Sequence, residues 1–198
     1  GPGDEASYLD AETADLLGRL MVPVLGGELG LLVYDAENEI GAASGVPEDS
    51  AAGTAAPNAF SWSSRSAGAS WTRAVPGSWN LRIVGWRAGT DAGSSWRPEG
   101  VETSLASRRR DLGALVVVDR RGRGGTTGLG LRYDRVGTAY RVGGDSTVTP
   151  WEAAGTLDVL TGFAERTQPL ASAVMAWAGM GVAVAGGGLR VAPRARVR

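Results

Sequence analysis

Apolar residues at Leu16, Leu17, Leu20 and Met21 follow Asp10, Glu12 and Asp15 and precede Pro23. An N-capping Asp, acids near the positive end of the dipole and a stripe repeating at three and four residues predict an amphipathic helix over 10–22. Residues 28–34 are apolar and β-favouring, Asp35-Ala36-Glu37-Asn38 has turn chemistry, and 39–43 resume the apolar run, so this stretch predicts a hairpin. Residues 44–59 are Ala, Gly, Ser and Pro without periodicity and predict a loop. Trp62, Trp71, Trp79, Trp86 and Trp96 then recur every seven to ten residues among turn formers, the spacing of short antiparallel strands that each give one ring to a shared face.

Further along, LGALVVV from Leu112, GLGLRYD ending at Asp134 and TAYRV from Thr138 predict three strands of a meander, with turns at 119–123 and 134–137. Thr149-Pro150-Trp151-Glu152 has the order of a capping box with proline at the first helical position. Trp151, Ala154, Leu157, Leu160 and Phe163 follow at spacing three and predict a helix over 150–166. The uncharged run 167–189 raises the question of a transmembrane helix. Pro169 and the glycines at 179, 181 and 186–188 leave too little good helix for one. The run is therefore expected to hold a helix over 169–179, then a Gly-turn hairpin joining VAVA to LRVA, and a membrane association is not expected.

These elements together predict an α+β fold: a mainly antiparallel sheet of hairpins covered by C-terminal helices, plus an N-terminal helix. Residues 1–9 are expected to be a disordered N-terminus, with Gly1-Pro2-Gly3 a cleavage remnant. Residues 10–198 are expected to form a single domain, the alternative being subdomains 10–100 and 101–198 with a mobile loop at 44–59.

Composition narrows the chemistry. All 20 basic residues are arginine, and histidine and cysteine are absent with lysine, a usage typical of GC-rich coding such as an actinobacterial genome. Ser-His-Asp and Cys-His nucleophiles, Schiff-base lysines, Cys/His zinc sites and disulfides are all excluded. Carboxylates at 35, 37 and 39 invite a cation site, but they straddle the expected turn and read better as solvated. No catalytic, cofactor-binding or metal-binding residue emerges, and no cofactor is implied. The net charge of −1 conceals a split: residues 1–60 carry eleven acids and one Arg, and residues 61–198 carry nineteen Arg and ten acids. Such a bipolar chain suits neutralisation of one half by the other, or a polyanion partner.

Arg120-Arg121-Gly122-Arg123-Gly124-Gly125 is similar to an RGG element. The segments GALVVVDRRGR, LRYDRVGTAYRV and STVTPWE, within residues 108–165, resemble the closing part of the EspG family of type VII secretion chaperones. That resemblance implies an α+β fold and a cytoplasmic protein that holds an exported pair by its apolar tip. The expected function is accordingly a non-catalytic cytoplasmic protein-binding module, a chaperone or adaptor with a protein partner. The second reading is an Arg/Trp-rich nucleic-acid-binding domain, and the third an enzyme dependent on Asp, Glu or Arg. Candidate partner-binding residues are Arg108, Arg109, Arg110, Arg120, Arg121, Arg123, Trp86 and Trp96.

Overall fold

Extended chain places successive side chains on opposite faces, and that period of two, not the helical period, governs this molecule. The computed structural model describes residues 9–42, 58–96, 101–145, 148–171 and 174–197. They form nine strands: β1 (Leu9–Val24), β2 (Gly27–Ala42), β3 (Asn58–Val75), β4 (Trp79–Trp96), β5 (Thr103–Gly122), β6 (Gly125–Gly144), β7 (Trp151–Ala171), β8 (Val174–Ala185) and β9 (Gly188–Val197). Each pairs antiparallel with its neighbours in the chain, in the order β1 to β9, as one uninterrupted meander. No helix occurs among the described residues.

The α+β expectation is therefore corrected to all-β, and the reason lies in how the periods overlap. Leu16 and Leu20 share a face in a helix, but residues four apart also share a face in a strand. In β1 the positions Ala14, Leu16, Gly18, Leu20, Val22 and Val24 form one uncharged face. The stripe assigned to helix 150–166 separates in β7, where Trp151, Leu157 and Phe163 point to one side and Ala154 and Leu160 to the other. The capping box dissolves as well. Thr149 and Pro150 precede β7 outside any helix or strand, and Glu152 forms a cross-strand ion pair with Arg141 instead of closing a helix. The expected helix 169–179 spans the end of β7 and most of β8. Turns expected at 35–38 and 134–137 lie in mid-strand, inside β2 and β6. The glycine hairpin between VAVA and LRVA forms where the sequence places it, with Gly186 and Gly187 both at positive φ. Residues 1–8 and most of the loop expected at 44–59 lie outside the described residues.

This sheet has no second layer. Among the described residues, Ala36 and Val117 are the buried apolar ones, at 3% and 6% exposure. The accessible surface is 14373 Å², where a compact chain of 20.4 kDa has about 8,800 Å². The sheet curls instead: a single hollow of 1310 Å³ is lined by residues from every strand of β1–β7. The concave face carries Thr13, Asn38, Trp62, Ala92, Ser107, Tyr140 and Ala153, one continuous ladder row across those seven strands. We call this side inward and the opposite side outward.

Inward, aromatic rings replace missing side chains across the ladder. Trp86 lies on Gly113 and Phe163 on Gly130, each its directly paired residue. A Cβ added at either glycine would overlap the ring. Arg132 stacks over the same Trp86, 5.2 Å from the ring centre. We predict that Gly113→Ala costs about 1–3 kcal/mol by displacing Trp86. In a Trp86→Ala background the same change should cost far less, a coupling that a double-mutant cycle of unfolding free energies will measure.

Candidate functional site

The two faces exchange character along the strands. Toward the end where chain reversals are short (25–26, 76–78 and 123–124), the outward face is apolar. Leu29, Leu31 and Val33 of β2, Leu81 and Ile83 of β4, and Leu112, Ala114, Val116 and Val118 of β5 exemplify it. On β8 and β9 every outward position is uncharged, from Ala176 to Val184 and from Leu189 to Val197. The inward partners there are small or polar, such as Ser66, Gly68, Ser70 and Thr72 on β3 and Arg190, Arg194 and Arg196 on β9. Trp71 and Trp79 mark the short-turn margin of this outward band. Trp71 donates its indole N–H to the Val24 carbonyl at 3.0 Å, and Arg120 sits 5.5 Å from the Trp79 ring centre.

Toward the other end, where the connections are longer (43–57, 97–102 and 145–150), the outward face becomes charged. The first charged outward residue beyond the band is Glu12, Asp35, Arg65, Arg87, Arg110, Arg135 and Asp158 on β1 to β7 in turn. The ladder row through Thr13, just inside the β1 boundary, reaches β7 at Ala153, whereas the boundary in β7 lies at Val159. The displacement from that row is four residues on β2, β3 and β5 and six on β4, β6 and β7, so most of it arises between β1 and β2.

Cross-strand ion pairs tie the charged belt together. Arg65 holds Asp35 at 3.1 Å and Glu37 at 2.7 Å, and Asp91 is shared by Arg108 at 2.9 Å and Arg110 at 2.6 Å. Arg135 meets Asp158 at 3.2 Å, while Asp158 also accepts the Tyr133 hydroxyl. Hydrogen bonds from Arg110 and then Arg108 hold the Asp91 carboxyl below the usual carboxylate range.

Inside this belt the wall is apolar and aromatic, the reverse of the band below. Ala11, Ile40, Phe60, Ser94, Leu105, Val142 and Trp151 form one inward ladder row. The next row toward the band is Thr13, Asn38, Trp62, Ala92, Ser107, Tyr140 and Ala153, the lining of the 1310 Å³ hollow. Phe60 and Trp62 lie 5.3 Å apart, ring centre to ring centre. Trp151 is 55% exposed and Tyr140 47%, so these rings face open space. Below them the wall turns polar, with Ser64 and Thr90 3.4 Å apart and Arg109 holding Asp111 at 2.9 Å. A large concave mouth with aromatic walls, Asn38, Ser107 and Thr13 as hydrogen-bonding groups and a charged floor suits a planar, largely apolar solute.

The sequence-derived candidates do not converge on this mouth. Arg108 and Arg110 point outward to Asp91, while Arg109 points inward to Asp111. Arg120 lies outward at the short-turn margin, Arg121 inward beside it, and Arg123 in the turn. Trp86 is inward but within the band, and Trp96 is inward at the long-connection end of β4. The five Trp residues do not share a face: nine residues from Trp62 to Trp71 and seven from Trp79 to Trp86 are odd steps, which put each pair on opposite sides. Asp35, Glu37 and Glu39 lie on one outward face of β2, and the first two are held by Arg65. No cluster of acids able to hold a metal ion occurs among the described residues. The mouth residues Phe60, Trp62, Tyr140 and Trp151 were missed, although the shared parity of Phe60 and Trp62 was available in the sequence.

No protein-family profile and no curated protein matches the sequence. The fold is nonetheless shared with solved β-barrel proteins of bacterial outer membranes. The ferric yersiniabactin uptake receptor FyuA from Yersinia pestis superposes with a TM-score of 0.66 at 11% identity, over 96% of this chain and 34% of that one. The copper transporter OprC superposes with a TM-score of 0.54 at 11% identity, over 96% and 41%. The chain thus spans about a third of the length of the first and two fifths of the second. The resemblance to EspG chaperones is overturned by this architecture, because the segments that carried it are parts of β5, β6 and β7 in a curled sheet without helices. The cytoplasmic chaperone and nucleic-acid readings fall with it, as does the expectation that a membrane is not involved.

Asp91 supplies a pH test of the belt. Its folded pKa is depressed, so its contribution to stability is present above the unfolded value of about 3.9 and is lost as pH falls through the folded value. Asp91→Asn should destabilise at pH 7 by no more than about 1 kcal/mol, the scale of exposed pairs. Urea titrations should show the gap between variant and parent closing below pH 3.9.

Proposed function

We propose that this chain forms part of the wall of a membrane-embedded β-barrel, with its long-connection end facing the exterior and its aromatic mouth receiving a small solute on the way into the lumen. One observation carries the reading. On all nine strands the outward face carries an apolar stretch, interrupted by Arg73 on β3 and bounded at the short-turn margin by Arg120 and Arg166, while the inward positions at the same level include arginines, acids, serines and threonines. A water-soluble sheet of this kind would need a second layer over that band, whereas a bilayer supplies one.

The dimensions agree. At the tilt of about 40° usual in membrane barrels, the ten residues of β9 rise about 25 Å, against an apolar band of about 25 Å there. Short reversals at one end and longer connections at the other, with the two-residue turn at Gly186–Gly187 as the exception, are the arrangement of such barrels, as is an outward margin of aromatic rings. Among the described residues β1 and β9 are the edges of the sheet, and since an open ladder is not tolerated in hydrocarbon, copies of the chain in a vesicle would pair edge to edge. That FyuA is an uptake receptor and OprC a transporter supports passage of a solute as the purpose of the mouth.

Val116 and Leu115 are neighbours on opposite faces at the middle of the band. For the full chain folded into phosphatidylcholine vesicles, Val116→Arg should lose about 2–4 kcal/mol, and Leu115→Arg, facing the lumen, less than about 1 kcal/mol. Equal losses from the two substitutions would overturn the membrane assignment.

A further inference from the structure

The outward face holds a second, smaller feature at the upper edge of the band. The first outward residue beyond the apolar region is arginine on four adjacent strands, Arg65, Arg87, Arg110 and Arg135. Three of them, Arg65, Arg87 and Arg110, surround a hollow of 400 Å³ that Asp35 and Asp91 also line. Its floor is shallow because the residues between the arginines are Ala67 and Gly89, and Val33 of the band adjoins it.

Two of these guanidinium groups are held in place. Arg65 is fixed by Asp35 and Glu37, and Arg110 by Asp91 and by the Thr90 carbonyl at 3.3 Å. Arg108 shares Asp91. Four arginines therefore stand against three carboxylates, and the uncompensated cation is Arg87, which has no hydrogen-bond or ion-pair partner among the described residues. Paired with Ala67 and Leu112 on its two sides, Arg87 projects from the last apolar level of the wall.

We propose that this hollow binds the phosphate of an anionic lipid headgroup, with Arg87 as the principal ligand and Arg65 and Arg110 as flanking donors. The inference rests on the membrane reading, because it places the hollow where the hydrocarbon ends and headgroup phosphates begin. A guanidinium is suited to the task, since its planar fork meets phosphate oxygens in pairs and it stays charged at every relevant pH. The acyl chains of such a lipid would continue down the wall over Val33, Ala67 and Leu112, so one molecule satisfies both the cation and the apolar surface beneath it. A free phosphate ion would satisfy the cation alone.

The full chain is folded into phosphatidylcholine vesicles with and without phosphatidylglycerol, and the unfolding equilibrium is compared for the parent, Arg87→Gln and Arg141→Gln. Arg141 is outward and well above the band, paired with Glu152, so its substitution serves as a control of equal charge. Phosphatidylglycerol should stabilise the parent, and Arg87→Gln should reduce that gain by about fivefold in the folding equilibrium constant. Arg141→Gln should leave the gain nearly intact. An unchanged gain in Arg87→Gln, or equal losses in both variants, would overturn the site. If inorganic phosphate added to phosphatidylcholine vesicles reproduces the gain, the lipid assignment is overturned in favour of a free-anion site. Failure of the membrane reading itself is distinguishable, because the parent would then not fold in either vesicle and the contrast between positions 115 and 116 would vanish.

Discussion

A single curved sheet has no interior in which to hide, so each face of every strand must match whatever medium it meets. That constraint organises the whole chain. The ladders satisfy the backbone amides and carbonyls within the sheet, which leaves side-chain polarity as the variable that assigns a face to oil or to water. In β5 the alternation is visible residue by residue: Leu112, Ala114, Val116 and Val118 point outward, while Asp111, Gly113 and Asp119 share the inward face with Leu115 and Val117. Glycine and aromatic residues then solve the packing of the concave side. Trp86 over Gly113 and Phe163 over Gly130 fill space that two facing side chains would overcrowd.

The exchange of polarity halfway up the wall follows from the same constraint. Above the apolar band the outward face takes on Arg65, Asp91, Arg110 and Asp158. The inward face is then free to become apolar, and it does so with Phe60, Trp62, Leu105, Tyr140 and Trp151. Below the boundary the wall is oily outside and polar within; above it the order is reversed. Along the inward wall, rings thus stand nearest the long-connection end and charged pairs such as Arg109–Asp111 lie deeper in.

Several strands were legible from residues alone. The runs from Leu112 and Thr138, and the glycine hairpin at 186–187, lie within the strands and turn observed. Others were hidden by arithmetic. Leucines four apart satisfy helix and strand alike, and Leu16 with Leu20 was read with the wrong period, as was the spacing-three set from Trp151 to Phe163. Acid-rich stretches such as Asp35-Ala36-Glu37-Asn38 signal a turn when they are assumed to face water on all sides. Here they continue a strand because Arg65 on the next strand answers two of the acids. The mouth was illegible for a further reason: its rows join seven strands over more than 140 residues of sequence, and only the register reveals that Phe60 and Trp151 stand on the same ring of the wall.

The unbroken order of the meander also bears on how the wall is made. Every ladder joins strands adjacent in sequence, so no long loop must close before the first pairing forms, and each hairpin offers a ready edge to the next. Assembly can zip from one hairpin to its successor, with the entropy of ordering met in small instalments. By the same token, hairpins are interchangeable modules: two strands can be gained or lost at an edge without rethreading the remainder, and the circumference can change in evolution while the recipe for a single strand stays constant.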